Sequence, residues 1–331
     1  MMTGNGSASA GSIESVFRPG HVILDYKNLA FNPCNDVIFP SIVRAKGRLS
    51  NPVDAYYMYY APHDSPGGIC LAHAPSIEGP WREHAGNPII LKDWAPHYHV
   101  GHVSAPHAVW VAEESKLFVF YHGDNDQTHY AVSQDGIGFE YGGVALDQTA
   151  YADFVKGVYD RVFYGRVFAH RIPSVNSKYV IMFARESTQG PHRHGIYLSW
   201  SKNARDWSQP RRIIQPAGGS RFVCSPCLFA LNGKHYVAYH SEFGTGEADS
   251  PAYTDIWVDE FDAELASSKP LGKFVGHHLF GNQNPRVSDP LIIIEGDVVY
   301  LVAAIDKRLN QRFAFAKASL KDLERALNVV P

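Results

Sequence analysis

Several signatures that would fix a functional class at once are missing from this sequence. Its 331 residues contain no run of 18 apolar positions, so no transmembrane helix and no membrane partner are expected. Four cysteines are too few for a disulfide scaffold. Cys224 and Cys227 form a C-x-x-C around Ser225–Pro226, but no second pair follows, which argues against a zinc ribbon. Charge of one sign is also lacking. Thirty Lys and Arg stand against 33 Asp and Glu, a formal net charge of −3, which excludes nucleic-acid binding through bulk positive charge. The opening Met1–Met2–Thr3–Gly4–Asn5–Gly6–Ser7 has neither the basic segment nor the apolar stretch of a signal peptide. The expectation is a flexible tail over 1–20 and a cytoplasmic location.

What is present points to β-structure. Apolar residues make up 45% and charged residues 19%, enough for a full-sized core. Aromatics reach 13%, among 28 Gly and 21 Pro, the composition of strands separated by turns. A repeat organises them. Five segments open a strand around an anchor: Phe39–Pro40, Ala105–Pro106, Gly165–Arg166, Ser225–Pro226 and Asp289–Pro290. Taking Pro40, Pro106, Arg166, Pro226 and Pro290 as anchors, the spacings are 66, 60, 60 and 64 residues. Each anchor is followed by a β-rich run: Tyr56 to Tyr60, Leu117 to Tyr121, Tyr179 to Phe183, His235 to Tyr239 and Val299 to Ala303. A third strand follows each, and a turn with an aromatic (Trp81, Phe139, Trp207) marks a fourth in the first three units. The fifth unit lacks a fourth strand and runs into Ser319–Leu320–Lys321–Asp322, a capped helix start. His21 to Tyr26 alternates suitably and supplies the missing strand, closing a ring. The predicted fold is an all-β, five-bladed β-propeller forming one domain over 21–331. Two stacked sandwiches would not produce a fivefold repeat.

In a propeller, strand 1 of each blade lines the axis and strand 2 runs back beside it. Strand 1 starts and strand 2 ends therefore meet at one mouth. The starts bring Asn35 and Asp36, His102 and Ser104, Tyr164 and Arg166, Cys224 and Ser225, then Arg286, Ser288 and Asp289. The ends bring His63–Asp64, His122 to Asp126, Arg185–Glu186, His240–Ser241–Glu242 and Asp306–Lys307–Arg308. An acidic residue stands just past strand 2 in every unit: Asp64, Asp124, Glu186, Glu242 and Asp306. Carboxylates for proton transfer, charged groups for hydroxyls and aromatics for stacking are the mix that a sugar site needs. Glycoside hydrolysis uses two carboxyl groups, or one and a substitute proton donor, on opposite sides of the scissile bond. His97 and His99 would share a strand face, a pattern that suits a metal, though no third ligand can be assigned. His192 and His194 form a second such pair.

The chain resembles the five-bladed glycoside hydrolases of family 43 and their relatives in families 32, 68, 117 and 130. The residues that carry this are Asn35–Asp36 before Pro40, Ser104–Ala105–Pro106–His107–Ala108–Val109–Trp110, Asn232–Gly233–Lys234–His235–Tyr236 and Ser288–Asp289–Pro290. The blade-end phrases His73 to Trp81, Ser133 to Phe139 and Ser201 to Trp207 are similar too. The resemblance implies a catalytic base from blade 1, for which Asp36 is the candidate, three residues earlier than expected relative to Pro40. It also implies an Asp after the second-blade Ala–Pro, where this chain has His107, and a general-acid Glu before Gly–Pro in blade 3. There the matching stretch is Tyr164–Gly165–Arg166, which has no carboxylate.

Three readings follow. The acid has moved to Glu186 or Glu242; or a histidine, His240, His122 or His102, donates the proton; or hydrolysis is lost and the propeller only binds sugar. The first gives a working mechanism: an inverting glycosidase acting on a terminal sugar of a small saccharide. Asp36 activates water, and Glu242 or Glu186 protonates the leaving oxygen. Asp124 and Asp289 orient the sugar or tune the acid. Arg166, Arg185 and His102 hold hydroxyls or a substrate carboxylate. Trp94, Tyr98 and Phe243 stack. His107, His122 and Tyr164 complete the expected substrate contacts. No cofactor is required, although the resemblance implies a Ca²⁺ or other ion on the propeller axis. A phosphorylase on the same fold is the neighbouring enzyme, with Arg166, Arg185, Arg193 or Arg286 for phosphate.

Overall fold

A computed structural model describes residues 12–188, 194–244, 253–281 and 285–329. Five four-stranded antiparallel sheets form the blades. Blade 5 opens and closes the chain: β1 (Arg18–Leu24) pairs with β22 (Arg312–Ser319), and the sheet continues through β21 (Val298–Ile305) to β20 (Val287–Glu295). Blade 1 is β2 (Ile38–Arg44), β3 (Tyr56–Ala61), β4 (Cys70–Ala74) and β5 (Arg82–Glu83). A small hairpin, β6 (Asp93–Trp94) and β7 (Tyr98–His99), leads to blade 2. Blade 2 is β8 (Val103–Val111), β9 (Lys116–Gly123), β10 (Gln127–Ser133) and β11 (Glu140–Asp147). Blade 3 is β12 (Phe163–Ala169), β13 (Tyr179–Arg185), β14 (Gly195–Ser201) and β15 (Arg211–Ile214). Blade 4 is β16 (Ser220–Leu231), β17 (Lys234–Phe243), β18 (Tyr253–Phe261) and β19 (Ser268–Val275). Blade 5 takes β20 (Val287–Glu295), β21 (Val298–Ile305) and β22 (Arg312–Ser319). The helix α1 (Leu320–Val329) follows, with the Ser319 hydroxyl accepting from the Asp322 amide at 3.1 Å as its cap. The five-bladed ring and its N-terminal closing strand match the expectation.

The tail differs from it. Ile13 and Phe17 are buried, Phe17 packs edge-on to Phe274, and Arg18–Pro19–Gly20 belong to β1. Only residues 1–11 of the expected tail lie outside the described residues.

The sequence repeat has a structural cause. In every blade the first strand bulges at the same place, two residues opposing one on strand 2. The bulged pairs are Phe39–Pro40, Ala105–Pro106, Tyr164–Gly165, Ser225–Pro226 and Asp289–Pro290. The first residue of each is left-handed, with φ of 56°, 53°, 59°, 53° and 55°. The second makes no ladder bond, so proline costs nothing there. The third anchor is thus Gly165 rather than Arg166. A side chain at Gly165 would meet the side chains of Ile181 and Thr128 at 3.3 Å, closer than ordinary contact.

The residue after the bulge ties neighbouring blades together. Ser41 Oγ accepts from the Ala108 amide (2.9 Å), His107 Nδ1 from Val167 (3.1 Å) and Cys227 Sγ from Ile292 (3.3 Å). Arg166, 1% exposed, crosses the axis to donate to the Pro290 and Asp289 carbonyls. Two expected substrate contacts are therefore reassigned. His107 is a seam residue that lines the opposite mouth, and Arg166 braces the axis beneath the funnel floor.

Arg185 is a third correction. Strand neighbours point to opposite faces, so Glu186 and Arg185 diverge at the end of β13. The Arg185 guanidinium is buried, donates to both Asp160 oxygens and to Asp153 (2.9 Å), and stacks 3.6 Å from the Tyr151 ring. It holds blade 3 together and does not line the funnel.

Two stability predictions follow from these contacts. Truncation through Leu24 strips β1 from β22 and opens an edge; thermal unfolding should show a lower Tm and size-exclusion chromatography should show self-association, whereas an unchanged Tm contradicts closure by β1. Arg185→Met strands the buried Asp160 charge and should cost about 3–5 kcal/mol in denaturant unfolding. A loss under about 1 kcal/mol would mean that the pair behaves as an exposed one.

Candidate active site

Three of the bulge residues, Phe39, Tyr164 and Asp289, line a cavity of about 390 Å³ at the mouth where strand 1 starts and strand 2 ends. Phe39, Ala105 and Tyr164 share one small apolar cluster, with the Phe39 and Tyr164 rings 4.4 Å apart. Ser225 donates to Asp289 Oδ1 at 2.6 Å. The floor is thus apolar on the side of blades 1 to 3 and carries a carboxylate on the side of blades 4 and 5.

Asp289 is closely held. Ser288 donates to its Oδ2 (3.2 Å), and His240 Nδ1 lies 3.4 Å from Oδ1 and accepts from the Asp289 amide at 3.2 Å. Burial opposes its ionisation, but His240, Arg286 and Ser225 outweigh burial and keep the carboxyl well below the usual range. His240 Nε2 meets Cys224 Sγ at 2.7 Å, and burial with the nearby Glu242 and Asp289 charges pushes that thiol well up, so it stays protonated.

Two further carboxylates line the same cavity from the strand 2 ends of adjacent blades. Glu186, with 37% of its side chain exposed, meets Arg161 Nη1 at 3.1 Å. Glu242, 11% exposed, faces Arg286 at 3.9 Å. Arg161 lies over the Tyr159 ring at 4.5 Å. Tyr164, Glu186, Glu242, Asp289 and His240 are therefore brought together as expected by position.

The other expected site residues lie elsewhere. Asp36 is 1% exposed and is not among the lining residues. Its carboxylate accepts from the amides of Gln311 (2.7 Å), Leu309 (3.1 Å) and Val37 (3.1 Å), fastening blade 1 to the β21–β22 loop. Burial, opposed by His63, the Gln311 and Leu309 amides and Arg286, pushes it up to about 6. Asp124 clamps the loop before β8, accepting from Gly101 (2.8 Å) and His102 (3.1 Å). His102 pairs with Asp124 at 3.4 Å and packs against His122. Both histidines are pushed down by burial, His122 well below its ordinary value, and neither lines the cavity. Trp94 packs with Tyr98 and Tyr141 on the outer flank of blade 2, and Phe243 stacks on Tyr253.

The metal expectations do not fit the residues present. Among the described residues, no group of three or more His, Cys, Asp or Glu is arranged to hold an ion. His97 stacks on Tyr141 while His99 pairs with Asp93. His192 and Arg193 lie outside the described residues. On the axis, the buried Arg166 guanidinium lies over the Phe39 ring at 5.6 Å, a cation where Ca²⁺ would need several oxygen ligands.

Sequence reasoning missed Arg161, Tyr159 and the pair Arg221–Phe222, which all line the cavity. A signal was there. Counting back three residues from the bulge gives Asp36, His102, Arg161, Phe222 and Arg286, a fivefold position on the approach to strand 1.

No protein-family description matches the chain, and no curated protein matches it by sequence. Solved structures do match in fold. An α-L-arabinofuranosidase from Podospora anserina, in complex with cellotriose, has a TM-score of 0.64 at 13% identity over 93% of this chain and 98% of its own. A family 62 hydrolase in complex with xylotriose has a TM-score of 0.66 at 11% identity over 92% and 98%. A native arabinanase of Bacillus subtilis has a TM-score of 0.61 at 12% identity over 87% and 96%. At these identities the likeness establishes the fold: the chain has the five-bladed β-propeller architecture of the family 43 and family 62 glycoside hydrolases.

Proposed function

We propose that the chain is a glycoside hydrolase that removes a terminal sugar within the axial funnel. The observation that carries this reading is the placement of Glu186 and Glu242, from neighbouring blades, on one sugar-sized cavity floored by Phe39 and Tyr164. Glu186, nearer solvent, protonates the departing glycosidic oxygen. Glu242, deeper and facing Arg286, acts on the anomeric carbon through a water, the inverting arrangement. Asp289 stays ionised and stabilises the positive charge that develops on the ring. Asp36 supports the loop beneath Arg308 instead of serving as the base. The similar structures include enzymes named for arabinofuranosides and arabinan, which makes pentofuranosides the first substrates to test. A sugar-binding propeller without turnover is the competing reading. It is favoured by His107 and Tyr164–Gly165–Arg166 standing where the resemblance calls for Asp and Glu.

Glu186→Gln and Glu242→Gln should each lower kcat/KM by about 10²–10⁴ on an aryl glycoside, with Tm unchanged. Asp36→Asn should keep kcat within about tenfold and lower Tm, because its amide cannot accept from three backbone donors. The reverse pattern would return the base to Asp36. Nuclear magnetic resonance of the first-formed anomer separates inversion from retention. Asp36 also carries a pH signature. Its folded value of about 6 lies above the unfolded value of about 3.9. Between these values the folded chain binds more protons, so this group's contribution is complete below about pH 4 and is lost as pH rises through 6. Asp36→Asn should remove that falling component from the Tm–pH curve.

A further inference from the structure

The guanidinium groups of the funnel ask for more than a neutral sugar. Three residues ahead of the bulge, blades 3 and 5 deliver Arg161 and Arg286, and blade 4 delivers Arg221 one position earlier. Arg308 joins them from the β21–β22 loop. These four cations line a cavity that holds three carboxylates, Glu186, Glu242 and Asp289. Arg308 is paired with Asp64 at 2.9 Å outside the lining, so when one glutamic acid is protonated as the acid catalyst, Arg161, Arg221 and Arg286 face two anions. Hydroxyl groups can be held by neutral donors and acceptors, whereas arginine is always charged, donates only, and matches planar anions in a two-point fork. The cations are also grouped. Arg161, Arg221 and Arg286 come from consecutive blades, while the corresponding positions of blades 1 and 2 hold Asp36 and His102, neither a permanent cation. Arg161 is held flat, 4.5 Å over Tyr159 and 6.0 Å from Phe163, and Phe163 stacks on Phe222. Arg161 is thus set against aromatic faces at the cavity wall.

Building on the glycosidase reading, we infer that the terminal sugar taken by this funnel carries an anionic group, a carboxylate or a sulfate ester, held by the guanidinium groups of blades 3 to 5. The inference names the substrate class that the proposed hydrolase discriminates.

Calorimetric binding to the full chain tests it without needing turnover. D-Galacturonate, D-glucuronate and D-galactose 6-sulfate are compared with D-galactose and D-glucose, and inorganic phosphate alone is a further arm. At least one charged sugar should bind about tenfold or more tighter than its neutral counterpart, and the uronate and sulfate arms identify the anion. The advantage should shrink severalfold between roughly 50 and 500 mM salt. Arg221→Gln should weaken the acid about tenfold while neutral sugars bind as before, with Tm showing that the variant folds. Equal binding of charged and neutral sugars overturns the inference, as does no binding of any acid. Phosphate binding as tightly as the acids also overturns it and points to an anionic co-substrate. Failure of the hydrolase reading looks different: an acid then binds with arginine dependence, yet no uronide or sulfated glycoside is cleaved.

Discussion

The bulge repeated at the head of each blade is the constraint on which the rest depends. Two residues must oppose one on strand 2, and the first must turn left-handed, which costs a non-glycine residue about 1–2 kcal/mol. Three of the turns set a side chain in the funnel (Phe39, Tyr164 and Asp289), and four place the next residue where it bonds to another blade. Ser41, His107, Arg166 and Cys227 all use the second effect. The ring is therefore joined at its narrowest radius by specific hydrogen bonds, while apolar clusters fill the space farther out.

This division governs which polar residues are available for chemistry. Side chains of the inner seam are already committed: His107 to Val167, and Arg166 to the Pro290 and Asp289 carbonyls. Above the seam, residues at the strand 2 ends and just ahead of strand 1 divide: Asp36 is tied to the β21–β22 loop, and others face the cavity. Glu186, Glu242, Arg161 and Arg286 are of this kind. In the proposed reaction the carboxylates come from this upper tier, as Glu186 and Glu242.

Much of the fold was legible because proline reports the bulge directly. It appears where a strand residue needs no ladder bond, so four X–Pro pairs, 66, 120 and 64 residues apart, revealed four blades and a double gap for the remaining one. That one, the third, has Gly165 in place of proline. The closing strand was legible from alternation, although it begins at Arg18, earlier than the pattern suggested. Side-chain direction was harder. Arg185 and Glu186 are adjacent at one strand end, yet one is buried against Asp160 and the other opens to the funnel. Asp36 looked like a catalytic base because it is acidic and near an anchor. Only in the fold do three amides converge on it, two from 273 and 275 residues away in sequence.

The central claim is that chemistry has moved from the seam to the upper tier, between blades 3 and 4. A crystal structure of Glu242→Gln soaked with a cleavable oligosaccharide tests it most directly. The account predicts a terminal sugar over Phe39 and Tyr164, with the scissile oxygen within about 2.6–3.2 Å of Glu186. A saccharide seated at the opposite mouth beside Trp110, or with its scissile bond against Asp36, would contradict it.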